Sequence, residues 1–275
     1  MYSAPIWYHW VYNLSEPALY ATCLLGTTLL ALLVGLLLTA VRRYAGDRQA
    51  SSFPPGLVTA IALPTSLVIG LMASDVSRRY NEAQDNVMQE ARTVAALQHA
   101  LTELPATASA ALQEELTHYV TQELSREWEQ LQRAQVPLGL SPALIRIGVG
   151  LAALQPARAA RAVSDGVIEN IQAQLRELQR LRTQRSQLAL GKMDSPQWMI
   201  VAVLLLCCAA VMIEVTVHHR RNRIMAMTLF VFSYGSLVYM IATNDRPFSG
   251  GVSVTPEPIA RIFTQQEAVL PNLSR

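Results

Sequence analysis

Charge is the scarcest ingredient of this sequence. Only 15% of its 275 residues are Asp, Glu, Lys or Arg, while 51% are hydrophobic. A water-soluble chain carries about 25% charged residues, so the shortage excludes an ordinary soluble fold and makes a membrane protein the first class to test. The charges that remain nearly cancel, with a formal net charge of +2, which excludes a basic face large enough for nucleic acid. Cysteine is almost missing as well. Cys23, Cys207 and Cys208 all fall inside apolar runs, where a thiol behaves as a small hydrophobe, so neither a disulfide framework nor a zinc site follows. The glycine-rich phosphate loops, the H-E-x-x-H zinc motif and the G-x-S-x-G nucleophile elbow are absent too. Of the five histidines, His218 and His219 are adjacent and point to different helix faces, and His9, His99 and His118 are scattered. No catalytic residue, metal or cofactor is assigned, and an enzyme is not expected.

What is present is four long runs without charge. From Pro17 to Val41 no charged side chain occurs across 25 positions, which at ~1.5 Å per residue gives roughly 37 Å of helix, enough to cross a ~30 Å hydrocarbon core. Arg42 and Arg43 close this run, and a turn-like stretch from Gly46 to Gly56 follows. A second span is expected at about 57–76. Ser195 as N-cap and Pro196 as first helical residue open a third, about 196–217, and the fourth runs over about 224–244. The expected fold is therefore an all-α membrane protein of four transmembrane helices, with a long helical soluble insert between the second and third. The expected division is 1–76 for the anchor and first two spans, 77–194 for the insert, 195–244 for the last two spans and 245–275 for a turn and tail helix. Trp7, Tyr8, Trp10 and Tyr12 form an aromatic cluster suited to the headgroup level. No Lys or Arg precedes the first span, so it is read as retained rather than cleaved as a signal peptide.

Orientation follows from the short loops. Arg42, Arg43 and Arg48 lie between the first two spans, and Arg220, Arg221 and Arg223 between the last two. Both loops are therefore assigned to the cytoplasm, which puts the N-terminus, the C-terminus and the insert on the periplasmic side of a bacterial inner membrane. The insert, with 13 basic and 13 acidic residues, is too long and too neutral to obey the charge rule itself.

Within the insert, Val87, Ala91, Val94, Leu97 and Leu101 recur at helical steps, so the second span is expected to continue outward as one long helix as far as Pro105. Leu112, Leu116, Tyr119, Val120, Leu124, Trp128 and Leu131 make a second amphipathic helix, with Tyr119 and Trp128 read as packing residues. In the third, Ile168 to Leu181, the row Arg176, Arg180, Arg182, Arg185 reads as a solvated face or as a basic vestibule for anions. Between Pro137 and Leu154 the chain is apolar except for Arg146. With Ser141 as N-cap and Pro142 in the first turn, this reads as a helix lying against the bundle or the membrane surface rather than a span.

Two features of the spans invite function. Pro64 sits at the centre of the second span and frees the Ala60 carbonyl, which lipid cannot satisfy. The face Leu57, Ile61, Thr65 (or Pro64), Val68, Met72 would make a mainly hydrophobic constriction, able to gate by dewetting. Glu214 is an acid about one turn inside the end of the third span, where an ionisable group suggests function; its plainer reading is that it snorkels to the interface beside Arg220 and Arg221.

After the fourth span the chain reads Asn244-Asp245-Arg246-Pro247-Phe248-Ser249-Gly250-Gly251, then Val252 to Pro258. Asp245 and Arg246 can pair, Pro247 stops the helix, and the glycines let the chain reverse before Thr255 caps a short tail helix beginning at Pro256. Together with Arg79-Tyr80, Glu90-Ala91, Glu127-Trp128, Pro196 and Trp198, this signature resembles that of the bestrophin-like family of bacterial four-span proteins. The family is named for its similarity to bestrophins, which are pentameric anion channels. The resemblance thus implies a self-associating membrane protein passing small anions through a pore lined by the second span. It departs from bestrophins in lacking an acidic calcium-binding cluster and in having its insert assigned outside the cell. A reading from another class stands beside it: a non-conducting, membrane-anchored helical scaffold or accessory subunit of a larger membrane complex.

Overall fold

The computed structural model describes residues 14–45, 54, 56–133, 135, 139–154, 164–191, 193, 195–217, 220–250 and 252–273. The aromatic cluster of the N-terminal flank, His218, His219 and Gly251 lie outside them. Among the described residues the regular structure is entirely helical. In chain order the helices are α1 (Glu16–Ala45), α2 (Gly56–Thr102), α3 (Ala106–His118), a π-helical turn (Tyr119–Glu123), α4 (Leu124–Gln132), α5 (Pro142–Ala153), α6 (Asp165–Leu190), α7 (Ser195–Val215), α8 (Arg220–Asn244) and α9 (Glu257–Leu273). Contacts divide the chain into two compact units, one comprising residues 1–79, 192–246 and 250–252, the other 80–191, 247–249 and 253–275.

The first unit holds α1, the opening part of α2, α7 and α8. Each of these four helices is long and apolar enough to cross a membrane. In α1, Glu16 stands in the first turn and Arg42 and Arg43 in the last, both complementing the helix dipole. The hydroxyls of Thr22, Thr27 and Thr28 donate back to carbonyls four residues earlier, so these residues leave no idle donor in hydrocarbon. Helix α8 runs antiparallel to α1, and the two approach closely at Gly235. A Cβ there would stand 2.7 Å from Leu24 Cδ2 and 3.1 Å from Thr27 Oγ1, so any side chain would have to push Leu24 and Thr27 aside. One turn away, Tyr20 packs edge-on against Tyr239 with ring centroids 5.1 Å apart. Ala31, Val34, Ile69, Ala73, Val201, Leu205 and Phe230 close the unit's core. Leu25, Leu29, Leu33, Leu36 and Leu37 of α1 face outward and exposed. Such a surface is stable in lipid and costly in water.

The second unit is built on the later part of α2. Ala83, Val87, Ala91, Val94, Leu97 and Leu101 are all buried at three- and four-residue steps, as the periodicity predicts. Burying each leucine contributes about 1.5–3 kcal/mol. Against this stripe lie α3 through α6, with Leu116, Trp128, Leu131, Ile147, Ile171 and Leu178 in one continuous core. The second amphipathic stretch is not one uniform helix, because the π-helical turn at Tyr119–Glu123 separates α3 from α4. Helix α5 packs into this core through Ala143, Leu144, Ile147 and Leu151. Ser141 caps it by accepting from Leu144 N, and Glu123 accepts from Ala143 N. Its single charge, Arg146, donates to Glu115 at 2.7 Å.

Candidate functional site

The expected pore face divides along α2. Pro64 is exposed, Leu57, Ile61, Val68 and Met72 are partly buried, and Thr65 is buried with its hydroxyl donating to Ile61 O at 2.7 Å. Alongside Pro64, the outward strip of this helix is formed by Leu63, Leu67 and Leu71. Of the alternatives at the centre of the span, Pro64 therefore faces away from its own chain's core, whereas Thr65 and Ile69 face into it.

Glu214 is half-buried near the end of α7. The sequence places it beside Arg220 and Arg221, but the structure pairs it with Arg42 of α1 instead. Arg42 occupies the last turn of α1 on the side that packs against α7, whereas Arg220 and Arg221 are exposed at the start of α8.

The second unit encloses a buried ionic cluster. Glu90 comes from α2, Tyr119 from the first position of the π-helical turn, Glu127 and Trp128 from α4, and Arg182 and Arg185 from α6. Arg185 Nη1 donates to both carboxylate oxygens of Glu90 at 2.5 Å, and Nη2 to Glu127 Oε2 at 2.6 Å. Arg182 Nε donates to Glu127 Oε1 at 2.8 Å and its Nη1 to the Gly139 carbonyl at 2.7 Å. The Tyr119 hydroxyl donates to Glu90 at 3.0 Å, and the Arg185 guanidinium carbon lies 5.0 Å from the Trp128 ring centroid. Two carboxylates and two guanidinium groups balance, which is the condition for holding such charges out of water. Burial works against the charge of Arg185. Glu90, the Tyr119 oxygen and Glu127 outweigh it and hold the guanidinium above its ordinary proton affinity. Burial, reinforced by the negative charge of Glu90, pushes the Tyr119 phenol well above its usual value.

The expectation of a solvated arginine row is thereby corrected for half its members. Arg176 and Arg180 are exposed, whereas Arg182 and Arg185 are buried. The signal that separates them is phase. Arg182 and Arg185 extend the buried stripe Ile171, Leu175, Leu178 at steps of four and three, and Arg176 and Arg180 do not. Glu90 is likewise in phase with Val87, Ala91 and Val94. A second missed feature is Asn86, one turn before Glu90. Its amide is buried, and neither polar atom has a partner among the described residues.

The Asp245 to Gly250 signature forms a demanding turn. Asp245 and Arg246 are both buried, and Asp245 Oδ1 accepts from Met193 N at 2.5 Å. Gly250 adopts φ 96°, a left-handed conformation that favours glycine. Beyond it, Val254 N donates back to Pro247 O at 2.7 Å, and α9 begins at Glu257. In the second unit, Phe248 meets the Trp128 ring edge-on at 5.6 Å, and Trp128 Nε1 donates to Val254 O at 3.1 Å. Ser249 Oγ donates to the Gln132 carbonyl at 2.9 Å, occupying an acceptor left over at the end of α4. The turn therefore braces the same tryptophan that lies under Arg185.

A family model described as the bestrophin-like domain matches residues 23–259, most of the chain and both units. The chain belongs to the bestrophin-like family. Among solved structures, the bestrophin-like chain is similar to a bacterial bestrophin homologue from Klebsiella pneumoniae. A single-substitution variant of that protein is 15% identical with a TM-score of 0.69, covering 96% of this chain and 100% of the other. A second variant is 16% identical with a TM-score of 0.67, covering 93% and 99%. The structure phased with zinc is 16% identical with a TM-score of 0.66, covering 91% and 97%. At such identity the likeness is one of fold. No curated protein matches the sequence. Fold and family together make this bestrophin-like protein an integral membrane protein of the bestrophin type.

Proposed function

We propose that this protein assembles into a homo-oligomer that passes small anions through a pore lined by α2. The observation that carries the reading is the exposure of Pro64. Its ring removes the donor that would hold the Ala60 carbonyl, and hydrocarbon offers no replacement. That carbonyl is satisfied by water in a pore or by a neighbouring copy, and a ring of copies supplies both. Leu57, Ile61, Val68 and Met72 flank Pro64 with part of their surface open, and they form an apolar constriction able to gate by dewetting. Thr65, turned inward, fixes the helix from behind.

The same reading places the protein in the bacterial inner membrane with its N-terminus, C-terminus and second unit in the periplasm. The arginines at the end of α1 and the start of α8 support this orientation through the preference of basic residues for the cytoplasmic side.

Reconstitution tests it. Protein in liposomes is expected to pass chloride or iodide, with rates changed by Ile61→Ala and Pro64→Ala, and to run in detergent as a closed oligomer. A monomer, or an intact oligomer without flux under any condition, would overturn the channel and favour the anchored scaffold.

A further inference from the structure

Within the first unit a cavity of about 620 Å³ lies between α1 and α8. Its walls include Leu24, Ala31 and Leu38 of α1 with Met227, Val231 and Phe232 of α8. The two helices touch at Gly235 and part beyond it, and the cavity occupies the space from Phe232 to Arg223. Threonines in the α1 wall do not make it polar. Thr28 Oγ1 donates to Leu24 O at 2.7 Å and Thr39 Oγ1 to Leu36 O at 2.8 Å, so both hydroxyls are occupied by the helix's own carbonyls.

One end of this apolar cavity is basic. Arg42 and Arg223 both line it, from different helices. Glu214 engages Arg42, whereas Arg223 has no acidic partner among the described residues. The mouth thus keeps one uncompensated positive charge. Arg223 also stands in the first turn of α8, where free backbone N–H groups favour an anion. From Arg223 to Phe232 the wall extends roughly 14 Å at ~1.5 Å per residue, close to the ~15 Å of hydrocarbon in one leaflet.

We propose that this cavity is a binding site for one anionic phospholipid, its acyl chain along α1 and α8 and its phosphate on Arg223 and Arg42. Charge decides the occupant: a neutral apolar segment of another protein would fill the walls but leave Arg223 uncompensated next to hydrocarbon. The arginines at this end stand where the negative leaflet surface would meet them. The site is independent of conduction, and its readout is lipid retention rather than flux.

The test is native mass spectrometry of the full-length protein, equilibrated with micelles holding equal phosphatidylglycerol and phosphatidylcholine. Wild type is expected to retain phosphatidylglycerol preferentially. Arg223→Gln is expected to lower that retention about fivefold, the effect of removing one basic contact near a membrane surface. Gly35→Leu, which projects a side chain into the cavity, is expected to lower retention of both lipids, since the Gly35 Cβ position meets only Ile213 at 3.7 Å. Arg221→Gln, an exposed charge outside the cavity, is expected to change neither. Equal retention of the two lipids by wild type would overturn the site. So would an equal loss with Arg221→Gln, which would mean general surface attraction, or displacement of the lipid by excess inorganic phosphate. Should Gly35→Leu fail to fold, the two arginine variants still decide the outcome.

Discussion

Arg185 Nη1 lies 2.5 Å from both carboxylate oxygens of Glu90, and neither side chain has any exposure to solvent. The pair joins α2 to α6 at a point where no water can replace a lost partner. Removing one member therefore costs more than the pair contributes net, because the other charge is left buried and alone.

Arg185→Met is accordingly expected to destabilise the protein by about 3–5 kcal/mol, leaving Glu90 buried without a cation and Glu127 with Arg182 alone. Arg185→Met combined with Glu90→Leu should recover a large part of that loss. Thermal unfolding of the single and double variants in one detergent checks both. Strict additivity of the two substitutions would show that the residues do not act as a unit.

Tyr119 gives the pH dependence. Burial and the charge of Glu90 raise its phenol well above the ordinary value, so the folded protein keeps it protonated where an unfolded chain does not. The stabilisation linked to this raised affinity is complete below about pH 10, the usual tyrosine range, and is lost as pH climbs from there toward the folded-state value. Unfolding temperatures followed from pH 8 into the alkaline range should fall more steeply for wild type than for Tyr119→Phe. At neutral pH that variant is expected to be less stable by about 1.5–3 kcal/mol, through its lost bond to a charged acceptor. Identical alkaline slopes for the two proteins would contradict the assignment.

Gly250→Ala tests the signature turn. At φ 96° a Cβ is strained, and a destabilisation of about 1–2 kcal/mol is expected. The turn braces Trp128, so indole fluorescence should change with it, and a variant matching wild type in both stability and emission would show that the turn tolerates a side chain.

Much of this architecture is legible in the sequence, because lipid imposes strict rules. The uncharged runs mark the spans, and a single helical phase carries α2 from Gly56 to Thr102. Ser141 and Pro142 announce the start of α5 through capping chemistry that depends on neighbours alone. What the sequence conceals is partnership across distance. Glu214 reads as belonging to the nearby Arg220 and Arg221, yet its partner is Arg42, 172 residues away in the chain. Arg182 and Arg185 read as solvated because arginine is seldom buried, and only the acids supplied by α2 and α4 make their burial tolerable. Tyr119 and Trp128 read as packing residues, and both do pack. Their second role, in holding Glu90 and lying under Arg185, depends on a meeting of three helices that periodicity in any one of them does not reveal.

The π-helical turn at Tyr119–Glu123 amounts to one surplus residue wound into an otherwise ordinary coil. Winding the same residues as a regular α-helix would swing everything downstream by about 100°. Glu127 and Trp128 would then point away from Arg185, and Ser249 would lose its carbonyl at the end of α4. The irregularity is thus what lets the tyrosine that begins it and a glutamate beyond it join the same buried ion cluster.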